Sequence, residues 1–170
     1  DLIILNMISG TCDIHSPSIL DIKNILTYIQ IGMPLFLLHG SSAALWQLSW
    51  WREIVGYRWV KDVDPDGVAP SVHPICPYKL RVAKSRHSLC EKLKAIDLPK
   101  DELYTDLEQT CPAITIMEAV TEKGIFPMCY EATTLWGGSI ITYIPGHDPE
   151  VIRIPENIDN CKAIIKWLLR

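Results

Sequence analysis

Two periodicities alternate along this chain. Leu2–Ile8 (LIILNMI) reads as a first strand, and the all-apolar run Met33–Leu38 is of strand length and predicts a second strand buried on both faces, as in a parallel sheet. Between them, Ile19, Ile22, Ile25, Leu26 and Ile29 recur at helical spacing and predict a helix over Ile19–Gln30. Ser18, at the end of the Ser9–Ser18 loop, has Asp21 three residues later, the pattern of a capped N-terminus. After the second run comes His39-Gly40-Ser41-Ser42. Leu45, Trp46, Leu48, Trp50, Trp51, Ile54 and Val55 then follow at helical spacing and predict a Trp-rich helix. The resulting β-α-β-α order with short connections predicts a right-handed crossover and parallel pairing of the two strands.

The remaining pattern is richer in strands. Tyr57–Val63 reads as a third strand. Residues 64–78 hold four prolines (Pro65, Pro70, Pro74, Pro77) and leave little room for regular structure. Leu80–Ile96 and Lys100–Gln109 are expected to be helices. Strands are expected at Ala113–Met117, Ile125–Glu131, Ser139–Ile144 and Val151–Ile154. A closing helix, Ile158–Leu169, has Asn157 as its expected N-cap. The fold class expected is therefore α/β or α+β. Its first half is Rossmann-like, and a strand-rich second half with a C-terminal helix completes a mixed sheet. Residues 1–170 read as one domain excised from a longer protein, with the Pro-rich loop 64–78 as the place for an internal division.

Composition narrows the partners. With 170 residues, 48% hydrophobic and 21% charged, the chain can bury a proper core. A formal net charge of −4 disfavours nucleic-acid binding through bulk charge. No apolar run reaches the roughly 18–20 residues that cross a bilayer. The six cysteines (Cys12, Cys76, Cys90, Cys111, Cys129, Cys161) form no C-x-x-C pair and read as reduced thiols of a cytoplasmic protein.

Candidate chemistry centres first on the turn after Leu38. A glycine followed by two serines at the carboxyl end of a strand offers free amides to a phosphate or carboxylate. Ligand-binding residues are accordingly expected at His39, Gly40, Ser41, Ser42 and Trp46, with an anionic small molecule such as a nucleotide as ligand. The G-x-G-x-x-G pattern and the P-loop lysine are both missing. Asp62-Val63-Asp64-Pro65-Asp66-Gly67 offers the alternating carboxylates of a calcium loop, but His73 stands where a bidentate Glu is needed. Lys79, Arg81, Lys84, Arg86, Lys92 and Lys94 gather ahead of an acidic stretch and read as a solvated face. His39, His73, His87 and His147, with Cys76, Cys90 or Cys129, supply the parts of a Cys–His dyad. His73-x-x-Cys76 has metal-like spacing without a second pair, so no metal site is assigned and the cofactor is left unknown. Trp46, Trp50, Trp51, Trp59 and Trp136 are candidates for an aromatic pocket.

Two local resemblances touch the same region. PLFLLHGSSAALW resembles the strand and oxyanion-side turn of α/β-hydrolases, and LWGGSIITYIPGHDPE (135–150) is similar to the helix that follows their nucleophile. Leu135 stands at the nucleophile position and no G-x-S-x-G occurs, which implies a dead or truncated hydrolase. Residues 2–48 are similar in layout to the nucleotide-sensing Rossmann-like domains of some channel proteins and prokaryotic defence systems. The leading expectation is a non-catalytic ligand-binding or sensing domain. The alternatives are a hydrolase with a Ser or Cys nucleophile (Ser41, Ser42 or Cys76), or a protein–protein interaction module. The expected partners are a small anionic ligand, a protein, or flanking domains of the parent chain.

Overall fold

The computed structural model describes residues 1–9, 15–62, 64 and 66–170. Cys12, part of the Ser9–Ser18 loop, and two positions of the Asp62–Gly67 loop (Val63 and Pro65) lie outside the described residues. In chain order the elements are β1 (Ile3–Leu5), α1 (Ile19–Gln30), β2 (Leu35–Leu38), a 3-10 turn (His39–Ala43), α2 (Ser49–Arg52), β3 (Tyr57–Arg58), β4 (Ile75–Val82), a second 3-10 turn (Ser88–Glu91), β5 (Ile96–Glu102), β6 (Glu108–Gln109), β7 (Ala113–Thr121), β8 (Gly124–Thr133), β9 (Ser139–Tyr143), α3 (Pro149–Ile152) and α4 (Pro155–Leu168).

Seven strands form one mixed sheet in the order β1-β2-β9-β8-β7-β4-β5, and β3 pairs with β6 in a separate ribbon. β1, β2 and β9 are parallel. From β9 to β5 every neighbour is antiparallel, so β5 points the same way as β9 and β2. Three strands separate β5 from β9, yet Asp101 on β5 accepts hydrogen bonds from Gly146 and His147 just beyond β9. The accumulated twist curls the sheet until these strand ends meet.

The apolar runs go where periodicity sends them. β2 is covered on both faces: Leu35 and Leu37 pack with Ile29, Leu45 and Trp51, while Phe36 joins a larger core with Tyr78, Leu80, Met117, Tyr143 and Ile164. The helix α1 has the expected bounds and a complete capping box between Ser18 and Asp21. Parallel pairing of β1 with β2 is also observed.

The Rossmann-like first half is not. Where a long Trp-rich helix was expected, the chain makes the five-residue 3-10 turn and the four-residue α2. Leu45 adopts φ 53°, in the left-handed region, which interrupts any helix running through it. The expected helix over Leu80–Ile96 is instead the end of β4, a loop and a 3-10 turn. From Pro77 to Val82 the period is two, with Tyr78 and Leu80 buried and Lys79 and Arg81 outward, so the basic residues do not share a helix face. Lys100–Gln109 ends β5 and forms β6 rather than a helix, and Val151–Ile154 falls in α3 and the residues after it rather than in a strand. The closing helix starts three residues early because Pro155 supplies its first turn. Asn157 is therefore not the cap. It is buried and bonds the Tyr143 hydroxyl at 2.6 Å and the Val151 carbonyl at 3.1 Å. Among the described residues no helix is long and apolar enough to cross a membrane.

Candidate functional site

Three strand ends that point the same way carry the site: β2 leads into His39, β5 ends at Glu102, and the loop after β9 carries His147. A cleft of about 360 Å³ opens there, lined by Asn6, Met7, Ile8, His39, Gly40 and Ala43 on one side and by Trp59, His73, Glu102, Tyr104 and His147 on the other.

Glu102 is the hub. One carboxylate oxygen lies 3.2 Å from His39 Nε2; the other lies 3.2 Å from His73 Nδ1 and 3.3 Å from His147 Nδ1. His39 Nδ1 is 2.8 Å from the Ile144 carbonyl, so that nitrogen is the donor and Nε2 faces the carboxylate. Burial pulls the His39 ring below its ordinary pKa, but the hydrogen bonds to Glu102 and Ile144 outweigh it and leave it raised. Burial pushes the Glu102 carboxyl up, and the His39 hydrogen bond with the nearby His147, His39 and His73 brings it below its usual range. The Tyr104 ring lies 5.5 Å from His39 and 6.0 Å from His73. Burial, and then the charge of Glu102, hold its phenol protonated far above the usual range. His39 itself sits at φ 49°, a left-handed conformation whose strain the surrounding structure must offset.

The ligating atoms of His39, Glu102 and His147 all lie within 4.8 Å of one another. Two imidazoles and one carboxylate with an open side match the donor set of catalytic zinc and of non-haem iron or manganese centres. The backbone carbonyl that fixes the His39 tautomer is the kind of outer partner such ligands carry. The set therefore fits a divalent transition metal.

Of the residues expected to bind a ligand, His39 and Gly40 line this cleft. Ser41 is buried, donates to the Leu5 carbonyl at 2.9 Å and accepts from the Met7 amide at 3.0 Å. Ser42 is buried beside Tyr130. Trp46 lies over the Arg58 guanidinium, 4.3 Å from carbon to ring centroid, and does not line the cleft. The 3-10 turn behind Gly40 is too short to supply the helix N-terminus expected for anion capture.

Two of the Asp62–Gly67 carboxylates are engaged by arginines: Asp64 pairs with Arg58, and Asp66 with Arg52. Cys76 lines a separate, larger cleft of about 1080 Å³ between β4, β5 and the β7–β8 hairpin, together with Pro77, Leu103 and Phe126, away from His39 and His147. His87 bonds Glu131 and lies apart from the cleft. Sequence reasoning missed Glu102 altogether and took His147 only as a dyad candidate. The available signals were a histidine directly after the Met33–Leu38 run and another three residues after the Ser139–Ile144 run.

A family model described as ThuA, trehalose utilisation, matches residues 15–168. The chain belongs to the ThuA family. Solved structures agree in fold. A ThuA-like protein from Parabacteroides merdae ATCC 43184 superposes with a TM-score of 0.78 at 16% identity, covering 98% of this chain and 69% of that one. A ThuA-like protein from Bacteroides uniformis ATCC 8492 gives 0.67 at 14% identity over 98% of this chain and 68% of its own. A protein described as cytoplasmic from Salmonella typhimurium LT2 gives 0.62 at 12% identity, over 99% and 69%. The chain matches no curated protein. The ThuA-like fold is thus the curled seven-strand sheet with its C-terminal helix, and in this ThuA-family chain the cleft lies where the strand ends converge.

Proposed function

We propose that this ThuA-family chain is a metal-dependent enzyme acting on a carbohydrate or a close derivative of one. The observation that carries the reading is the convergence of His39 Nε2, His147 Nδ1 and the Glu102 carboxylate at the mouth of one cleft. His39, Glu102 and His147 would hold a divalent cation, which when bound would supply Lewis acidity at the cleft. His39, fixed by the Ile144 carbonyl, presents one nitrogen inward. Tyr104 keeps its proton and donates its hydroxyl to Glu102, which helps to hold that carboxylate in place. His73 lies on the rim beside Glu102, with its side chain half exposed to solvent. Trp59, whose ring centroid lies 5.5 Å from that of His73, gives the apolar face on which a sugar ring stacks. A cleft of about 360 Å³ is near the lower end of the 300–1,000 Å³ usual for small-molecule sites and suits one sugar ring. The family's description, trehalose utilisation, supports the substrate class. The earlier expectation of a nucleotide-sensing domain rested on a helix N-terminus, and the short 3-10 turn takes that support away.

The test is turnover of a panel of mono- and disaccharides and their oxidised derivatives, trehalose included, by protein loaded with zinc, manganese or iron(II). Activity that appears with metal, is removed by chelator and is lost in His39→Ala is the expected result. Activity that persists in His39→Ala or in chelator would overturn the reading.

A further inference from the structure

We infer that Asp101 is the positioning residue of this site: it fixes the loop that carries His147, so that the imidazole faces Glu102. The inference rests on the metal reading and adds to it the device that pre-forms the third ligand.

Along β5, Ile96 and Leu98 are buried while Asp97 and Pro99 are exposed. Strict alternation would therefore send Asp101 outward. Across the β4–β5 pair, however, Cys76 opposes Asp101 and Tyr78 opposes Leu98. That is two steps on β4 against three on β5, a bulge of one residue. The bulge exposes Lys100 and turns Asp101 inward, where it is 0% exposed, directly beside Glu102.

A fully buried carboxylate needs donors, and Asp101 finds four. Oδ2 accepts from the Gly146 amide at 2.9 Å and the Tyr78 hydroxyl at 3.2 Å. Oδ1 accepts from the His147 amide at 2.9 Å and the Asp148 amide at 3.4 Å. Three consecutive backbone N–H groups of the His147 loop thus converge on one side chain from a distant strand. Gly146, at φ 133°, takes a conformation that lets the chain turn onto it. Asp101 is not among the converging ligands; its carboxylate is taken up by the loop amides and Tyr78, and it acts through His147. Neighbouring residues 101 and 102 consequently set two corners of the site, one by holding its partner's backbone and one by direct ligation.

The test compares wild type with Asp101→Asn and Tyr78→Phe. An asparagine keeps the shape, but its amide nitrogen must confront either the Gly146 amide or the His147 and Asp148 amides. Tyr78→Phe removes a bond in the same buried neighbourhood and leaves the loop amides satisfied. Cobalt(II) titration, followed by visible absorption of the bound ion, is paired with hydrogen exchange of the peptide spanning residues 144–150. The expected result is a cobalt affinity 10–100-fold weaker in Asp101→Asn, as for outer partners of metal ligands, with an altered ligand-field spectrum and faster exchange of the loop amides. Tyr78→Phe should keep the wild-type spectrum. Wild-type affinity, spectrum and exchange in Asp101→Asn would overturn the inference, as would an equal spectral change in Tyr78→Phe. If wild type takes up no cobalt, the metal reading and the positioning role fall together. Faster exchange in Asp101→Asn would then mark a structural loop clamp alone.

Discussion

Replacing Glu131 by glutamine tests how polar groups hold α4 and the loop that carries His87 to the sheet. The Glu131 carboxylate receives the Ser139 hydroxyl at 2.6 Å and His87 Nε2 at 3.0 Å. His87 Nδ1 accepts the Leu89 amide at 3.2 Å, so the neutral ring carries its proton on Nε2 and donates it to the carboxylate. The His87 ring also packs against Trp167 of α4, with centroids 4.9 Å apart. Both side chains are largely buried, at 6% and 11% exposure. In Glu131→Gln the amide oxygen accepts from His87, and the Ser139 hydroxyl turns to accept from the amide nitrogen. Two charge-assisted bonds become two neutral ones, a loss of about 1 kcal/mol each, or about 2 kcal/mol together. For a domain of this size that is a fall in Tm of about 4–8 °C. The pH dependence gives the sharper test. Burial pushes the Glu131 carboxyl up, but the bonds from His87 and Ser139 more than offset it and hold it below its ordinary value. A carboxyl depressed in the folded state contributes stability that is complete above its unfolded value, about 4.3, and is lost as pH falls through the folded value. Urea unfolding in chelator, from pH 3 to 8, should therefore show a gap of about 2 kcal/mol near neutrality that narrows as pH falls below the unfolded value of about 4.3. A gap independent of pH, or none at pH 7, would refute the reasoning.

Three further outcomes follow from the packing. Gly40→Ala places a Cβ 2.6 Å from Ile8 Cγ2, and overpacking of this kind should cost about 1–3 kcal/mol, read as a lowered Tm; an unchanged Tm would contradict the packing of the turn on Ile8. Asp64→Asn should destabilise the protein in calcium-free buffer because the residue partners buried Arg58, and millimolar calcium should not raise the Tm of wild type more than that of the variant. Burial pushes the Cys129 thiol well above its ordinary value and the Cys161 thiol up to about 11, so both should label last with a thiol reagent at pH 7.5, as peptide mass analysis would show.

Local chemistry was legible wherever a segment decides its own conformation. The Ser18–Asp21 capping box, the apolar stripe of α1 and the doubly buried β2 could all be read from neighbours a few residues apart. Segments whose conformation is set by distant pairing were misread. Leu80–Ile96 has enough apolar residues for a helix, but strand pairing with β7 and β5 takes Leu80–Val82 into β4, and a loop and a 3-10 turn follow. The Trp-rich stretch has helical spacing, yet Leu45 at positive φ breaks it, and Trp46 turns to cover Arg58. The site was legible only at one corner. His39 and Gly40 were singled out for their place after a strand. Glu102 lay in a stretch read as an acidic helix, and nothing local announces the bulge that turns Asp101 inward and brings Glu102 to the cleft. Curling of the sheet, which brings β5 to the end of β9, is a property of seven strands together.

If His39, Glu102 and His147 hold one divalent cation, metal stoichiometry will show it. Chelator-stripped protein would be dialysed against zinc or cobalt and its bound metal measured for wild type, Glu102→Gln and His147→Ala, with folding of each checked by circular dichroism. The account predicts one equivalent bound by wild type and an affinity at least about 100-fold lower in both folded variants, since each loses a direct ligand where even an outer partner is worth 10–100-fold. No stoichiometric uptake by wild type, or equal uptake by Glu102→Gln, would contradict it.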